Sequence, residues 1–378
     1  MDERYQQLMQ ALAAAANEDG PAVEVYIDEA SGHGWAMDLV PASSLPESEE
    51  PMVVVRTSGS TGRAKRTVLS VSAMASSAQA TAEYLGFEGQ WLLAMPVHYV
   101  AGLSVLTRSL FAGTQPVIMD QSGSFTAQAF TEAAESLLEK HRLTALVPTQ
   151  LARLLDSPSA ATLAVLKRFD AILLGGARAS ADLLASARHH GLKIFQTYGS
   201  AETCGGVVYN GTALPGVTLA ERDGRILIAG PTLADGYAGN SEATAQHFVQ
   251  HDGRRWYLTD DLGSVDGSKL KIIGRVDDVI NTGGVKLSAG RIEAVLDEYF
   301  SQCLVLGVPD PEWGQAVALA YSGPTKTDEA FTAVAQTLGR EAVPKRVLHY
   351  PGGLPLLPNG KYNRRQLGAD LAAASGSD

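Results

Sequence analysis

Apolar positions along the chain recur with two periods, and the order in which those periods alternate sets the expected fold. Tyr5, Leu8, Met9 and Leu12 fall at helical spacing, which predicts an amphipathic helix over residues 4–16. A polar loop at 41–51 gives way to Met52-Val53-Val54-Val55, which reads as a buried strand. After a glycine- and hydroxyl-rich stretch, a helix is expected from about Val71 to Tyr84, with Ser70 placed to cap it. Short apolar runs bounded by turn residues follow at Trp91–Met95, Thr114–Met119, Ala145–Val147, Ala171–Leu174 and Lys193–Gln196. Between them lie the helical patterns Ala127–Arg142 and Ala181–Gly191. That alternation predicts a mostly parallel α/β sheet.

From about residue 216 the texture changes to short strands and glycine turns, a β-rich subdomain reaching Gly274. It changes again after Arg275: Arg291–Phe300 is helical, Cys303–Val308 and Ala316–Tyr321 are strands, and Asp328–Leu338 is helical. The expected architecture is a large N-terminal α/β domain over residues 1–274 with a β-rich subdomain, followed by a small α+β domain over 275–378. The closing Ala-Ala-Ala-Ser-Gly-Ser stretch reads as a frayed tail.

Composition narrows the class. A chain of 378 residues that is 45% hydrophobic buries a core without staples and is not disordered. Its two cysteines, Cys204 and Cys303, form no C-x-x-C pair, which points to a reducing compartment and excludes a cysteine-rich zinc site. A net charge of −11 argues against nucleic acid and anionic membranes as partners. An anionic substrate must then be held by local cations. No apolar run approaches the ~18 residues of a membrane span. The first residues, Met1-Asp2-Glu3-Arg4, carry acids where a signal peptide needs positive charge, so a cytoplasmic, soluble protein is expected.

Four stretches carry candidate chemistry. Thr57-Ser58-Gly59-Ser60-Thr61-Gly62-Arg63-Ala64-Lys65 follows a strand, and its glycines and hydroxyls suit a backbone nest for an anion. Its glycine spacing is not that of the Gly-x-x-x-x-Gly-Lys-Ser/Thr loop, and by itself it reads equally well as a flexible linker. Tyr198-Gly199-Ser200-Ala201-Glu202-Thr203 sets a carboxylate at a strand end, where a metal could bridge to phosphates. Thr259-Asp260-Asp261, followed by Gly274-Arg275-Val276-Asp277-Asp278, pairs acids able to take ribose hydroxyls with an arginine. Pro358-Asn359-Gly360-Lys361 presents a lysine on a tight turn. Each of the last three, taken alone, is a common turn or surface feature.

In this order, however, the set resembles the adenylate-forming superfamily of acyl- and aryl-CoA ligases, adenylation domains and luciferases. Thr57–Lys65 is similar to its phosphate loop, Tyr198–Glu202 to its Tyr-Gly-x-Thr-Glu segment, and Gly175-Gly176-Ala177 to its adenine-side turn. Gly274–Asp278 resembles its hinge, Thr282-Gly283-Gly284 its glycine segment, and Leu357–Lys361 its terminal Gly-Lys motif. The likeness runs from residue 52 to about 365. Three departures stand out. Ala201 replaces a phosphate-contacting Thr or Ser, with Thr203 as the expected substitute, and Ala64-Lys65-Arg66 replaces Pro-Lys-Gly. The phosphate loop also starts early, which implies a first subdomain largely lost.

The resemblance implies roles. Thr57, Ser58, Gly59, Ser60, Thr61, Gly62 and Lys65 would hold the ATP phosphates, and Glu202 would orient Mg²⁺. Asp261 with Arg275 would take the ribose, and Gly175, Gly176, Ala177 and Tyr198 would flank adenine, with Thr197, Gly199 and Thr203 completing the nucleotide set. Lys361 would bridge the attacking carboxylate and the α-phosphate. The small domain would then turn about Asp277, bringing Gly283 and Gly284 to a pantetheine channel and Lys286 to a CoA phosphate. The stretch around His98, Tyr99, Gly102 and Arg108 has no aspartate for a substrate ammonium, and with Ser200 it is the expected acid pocket. It resembles that of the o-succinylbenzoate–CoA ligases of menaquinone biosynthesis, in their short actinobacterial form. Arg108 or His98 would then anchor a second carboxylate, although Arg108 reads equally as a surface helix residue and His98 as an aromatic gate. The implied ligands are ATP, Mg²⁺, CoA and a small carboxylic acid. Another aryl- or acyl-CoA ligase, a degenerate nucleotide-binding protein and a homodimer stay open.

Overall fold

Three sheets organise the chain in the computed structural model, which describes residues 3–28, 34–58, 64–357 and 362–374. The opening helix, Glu3–Ala16, buries Tyr5, Leu8 and Leu12, the positions at helical spacing. It packs on a five-stranded sheet ordered Gly236–Tyr237, Ala64–Ser70, Pro51–Ser58, Ala22–Ile27 and Trp35–Val40. The strand expected at 52–55 therefore runs on through Ser58 and pairs antiparallel with Ala64–Ser70. Ser70 caps the next helix, Val71–Leu85, by accepting from the Ala73 amide.

The second sheet has twelve strands and is only in part parallel. Val117–Ile118, Gln90–Leu93, Arg142–Leu146, Ala171–Leu174 and Ile194–Ser200 lie parallel, as expected. From Gly205–Tyr209 onward every pairing is antiparallel, out to Thr218–Arg222 at the far edge. The parallel part covers the segments where strands and helices alternate, and the antiparallel part joins them to the expected β-rich subdomain in one sheet. The reason for the change of direction is local: Ala201–Thr203 is a single 3₁₀ turn ending on Cys204 at φ 52°, so the chain reverses at once, and a parallel return would need a long crossover. The helix expected over 127–142 ends at Glu135. Beyond it the Gln90 side-chain carbonyl accepts from the Leu138 and Glu139 amides and bends the chain into the next strand.

The third sheet comprises Val285–Ser288, Val279–Thr282, Gly314–Ser322 and Gln302–Asp310, with Arg346–His349 parallel to Gly314–Ser322. Strand alternation splits its apolar residues between two faces. Val305, Val317 and Leu319 meet the helices Ala289–Leu296 and Thr327–Leu338. Leu304, Ala316 and Ala318 meet Leu367 and Leu371 of Arg364–Ala373. Arg178, just past the Gly175–Ala177 turn, reaches this unit through Asp297 at 3.2 Å and the Gly290 carbonyl at 3.5 Å.

Candidate active site

The carboxyl ends of the parallel strands, where open α/β sheets bind their ligands, carry Gly175–Ala177 after Ala171–Leu174, Tyr198 to Ser200 at the end of Ile194–Ser200, and His98 beyond Gln90–Leu93. Close strand packing there explains two glycines. A Cβ on Gly175 would stand 2.3 Å from the Thr197 hydroxyl, and one on Gly199 would stand 2.0 Å from the Gly205 carbonyl oxygen.

Pro51–Ser58 and Ala64–Ser70, which flank the expected phosphate loop, pair with Thr57 opposite Lys65. Gly59, Ser60, Thr61 and Gly62 lie outside the described residues, as does Lys361. The Arg66 that departs from the family pattern has a definite partner. Glu24 is buried and takes Arg66 through Nε at 2.9 Å and Nη2 at 2.7 Å, and Arg56 Nε at 2.8 Å. Burial alone would raise this carboxyl, but the hydrogen bonds from Arg66 and Arg56 hold it below its ordinary range. One acid thus locks both strands of the pair.

Lys65 extends over the Tyr237 ring, its Nζ 4.8 Å from the centroid, and lies 3.1 Å from His247 Nε2. The Tyr237 hydroxyl donates to Glu202 Oε1 at 2.8 Å. Burial, then the Glu202 charge, push the Tyr237 phenol up, so it stays a donor. The lysine and the carboxylate from two separate motifs meet on one tyrosine. Neither Tyr237 nor His247 belongs to a motif picked out from sequence; Tyr237 sits in a two-residue strand with no periodic signal.

Among the described residues no cluster of three or more His, Cys, Asp and Glu side chains forms a cage for a metal. A lone buried carboxylate such as Glu202 fits Mg²⁺, which takes its other ligands from phosphate and water.

At the ribose side, Tyr198 donates to Asp261 Oδ2 at 2.6 Å, and Arg275 donates to Asp261 Oδ1 at 3.2 Å. The same guanidinium holds Asp277 at 2.9 and 3.2 Å. Burial and the Asp261 charge push the Tyr198 phenol up. Thr203 is corrected: it is sealed, and its hydroxyl accepts from the Ser200 amide at 2.9 Å and donates to the Gly205 carbonyl at 2.8 Å. It holds the turn and does not replace the hydroxyl missing at Ala201. The buried Ser200 hydroxyl has no partner among the described residues.

The expected acid pocket is built differently. The helix Val100–Phe111 follows His98 and Tyr99 and is buried continuously from Gly102 to Ser109. Gly102 is required by packing, because a Cβ there would stand 2.3 Å from the Pro96 carbonyl oxygen. His98 is buried with both ring nitrogens unpartnered among the described residues, and desolvation lowers its pKa to about 4. Arg108 is helical but only 7% exposed, so the surface reading is excluded. Its Nη2 lies 3.5 Å from the Tyr209 hydroxyl and its head 5.3 Å from the Trp91 ring centroid, while Nε has no partner among the described residues. It lines a cavity of about 420 Å³ with Trp91, Phe87, Phe111, Glu83 and Glu88, at the amino end of Gln90–Leu93. His98 lies beyond the carboxyl end of that strand, so the two candidate anchors do not act on one point.

Gly283 and Gly284, at φ 56° and 85°, form the two-residue turn between Val279–Thr282 and Val285–Ser288. A Cβ on Gly283 would also strike the Trp313 ring at 2.6 Å, so turn and packing already demand this glycine. Lys286 is exposed on the second strand of that hairpin.

Comparisons with known proteins show the family. The chain is 39% identical over 84% of its length, and 84% of the relative's, to a probable 2-succinylbenzoate–CoA ligase of Mycobacterium tuberculosis. It is 30% identical to the 2-succinylbenzoate–CoA ligase of Escherichia coli, covering 82% of this chain and 67% of that one. The o-succinylbenzoate CoA synthetase MenE of Bacillus subtilis, solved with its acyl-adenylate intermediate, superposes with a TM-score of 0.70 at 26% identity, over 86% of this chain and 70% of that one. The family model described as AMP-binding enzyme matches residues 5–238, and the chain belongs to that adenylate-forming family.

Proposed function

We propose that the protein is an o-succinylbenzoate–CoA ligase, joining the acid to CoA through an acyl-adenylate with release of AMP and pyrophosphate. The relatives named above support the reaction, and one observation carries the choice of acid. Arg108 is a permanently charged group buried without a carboxylate partner among the described residues, in a protein of net charge −11. The Tyr209 hydroxyl and the Trp91 ring satisfy only part of the guanidinium, and a buried charge without a counterion is costly, which suits a substrate that brings an anion. The second, aryl carboxylate of o-succinylbenzoate is such an anion. His98, held neutral, offers a wall and a neutral hydrogen-bonding edge instead.

A carboxylate attacking the α-phosphate sets anion against anion, so the protein's work is charge cancellation and positioning. Thr57–Lys65 takes the phosphates, Asp261 and Arg275 the ribose, and Gly175–Ala177 with Tyr198 the adenine. Glu202 would hold Mg²⁺, which supplies further charge neutralisation at the phosphates. Lys361 is the catalytic cation of the first step. The chain divides at 274/275, and the smaller domain turns about Asp277 so that Gly283, Gly284 and Lys286 serve CoA in the second step. The reaction belongs in the cytoplasm, in keeping with the two free, buried cysteines.

Pyrophosphate release across a panel of o-succinylbenzoate, benzoate, a medium-chain fatty acid and amino acids, each with and without CoA, tests the reading. Release with o-succinylbenzoate, turning over only with CoA, is expected. Preference for a monoacid would overturn the substrate, and no acid-dependent release would overturn the activity.

A further inference from the structure

His247 is used by none of the steps above, yet it faces Lys65, and what surrounds it fixes its protonation pattern. An ammonium only donates hydrogen bonds, so at 3.1 Å from Lys65 Nζ the His247 Nε2 must be the acceptor. The proton then sits on Nδ1, which lies 3.3 Å from the Leu258 carbonyl oxygen, a group that only accepts. Both neighbours demand the same neutral tautomer.

The local fold builds this arrangement. Tyr237 pairs with Thr67 across the strands, which sets Lys65 as its diagonal neighbour on the same face. The helix Ser241–His247 packs flush on that strand. The Tyr237 amide donates to the Thr244 hydroxyl at 2.9 Å, and a Cβ on Gly236 would meet Thr244 at 2.8 Å. His247, at the end of the helix, is thereby delivered to the lysine head. The Tyr237 ring meets the His247 ring edge-on at 5.9 Å between centroids, and its hydroxyl holds Glu202.

We propose that His247 is a positioning residue for Lys65, holding the ammonium over the Tyr237 ring before ATP arrives. The inference rests on the reading of Lys65 as a phosphate ligand. A free lysine side chain carries rotamer entropy that binding must remove. An acceptor that restrains the head in advance removes part of that cost, so the effect belongs to nucleotide binding and not to the acid.

ATP affinity by calorimetry and steady-state KM values, in His247→Phe and His247→Gln, test this. Phe keeps a ring without an acceptor, whereas the Gln amide oxygen reaches the Nε2 position. His247→Phe is expected to weaken ATP binding about tenfold, the scale of one hydrogen bond to a charged group, with KM for the acid within about twofold. His247→Gln is expected to recover most of the loss, and in a Lys65→Ala background His247→Phe should add nothing. Unchanged or tighter ATP binding, equal losses for ATP and acid, or no recovery by Gln would overturn the inference. If Lys65→Ala itself left ATP binding intact, the phosphate reading of Lys65 would be what failed.

Discussion

The expected nucleotide end and the expected acid end of the candidate site are built in opposite ways. At the nucleotide end the candidate side chains are paired with one another: Tyr198 and Arg275 on Asp261, Tyr237 on Glu202, and Lys65 on His247. At the acid end they are buried with polar atoms left over, both nitrogens of His98 and Nε of Arg108. A pre-paired network keeps its geometry whether or not ligand is present. A buried group with an empty valence costs stability and gains a partner only when the right ligand enters. The contrast suggests that the common substrate is held by an internally braced surface, and the particular substrate by groups left unsatisfied.

The contrast can be broken by comparing stability with affinity. The largest effect is expected at the braced end. Asp261→Asn removes the charge facing Arg275 and disturbs the acceptor of Tyr198, so ATP affinity should fall about 100-fold and thermal stability should fall with it. Calorimetry and melting curves read both, and loss of affinity without loss of stability would mean the network is not a brace. Next comes Arg108→Met. Removing an unpaired buried charge should leave the melting temperature unchanged or raised, while KM for o-succinylbenzoate climbs about tenfold or more and KM for ATP holds. A melting temperature several degrees lower would make Arg108 a structural strut.

A third effect, on stability against pH, concerns His98. Its folded-state pKa, about 4, lies below the unfolded value of ~6.5, so folding favours the neutral ring. The associated stability is present above pH 6.5 and drains away as the pH falls towards 4. The loss is on the order of 3 kcal/mol, set by the difference between those two values. His98→Phe should flatten that part of the pH–stability curve. Identical curves for the two proteins would show that His98 is solvated.

Features with local causes were legible in the sequence. The strand Ala171–Leu174 and the Ser70 cap follow from apolar period and cap chemistry within a few residues. Elements whose causes lie far along the chain were not. Ala22–Ile27 contains Glu24 among its apolar residues, and the arginines that neutralise it arrive on other strands. Val100–Phe111 is buried so completely that it has no polar face to reveal a helical period. The motifs named most of the candidate site, but Tyr237 and His247 join it only through the fold of a two-residue strand and the short helix beside it. Ala201 looked like a loss that Thr203 repairs; the turn geometry uses that hydroxyl internally.

The most direct test of the account is the ratio of kcat/KM for o-succinylbenzoate to that for the same molecule lacking its aryl carboxylate, in the wild-type protein and in Arg108→Met. A buried, unpaired cation that selects a dicarboxylate predicts a wild-type ratio of at least about 10 that collapses towards one in the variant, with ATP kinetics unchanged. A ratio that is the same in both proteins would contradict it.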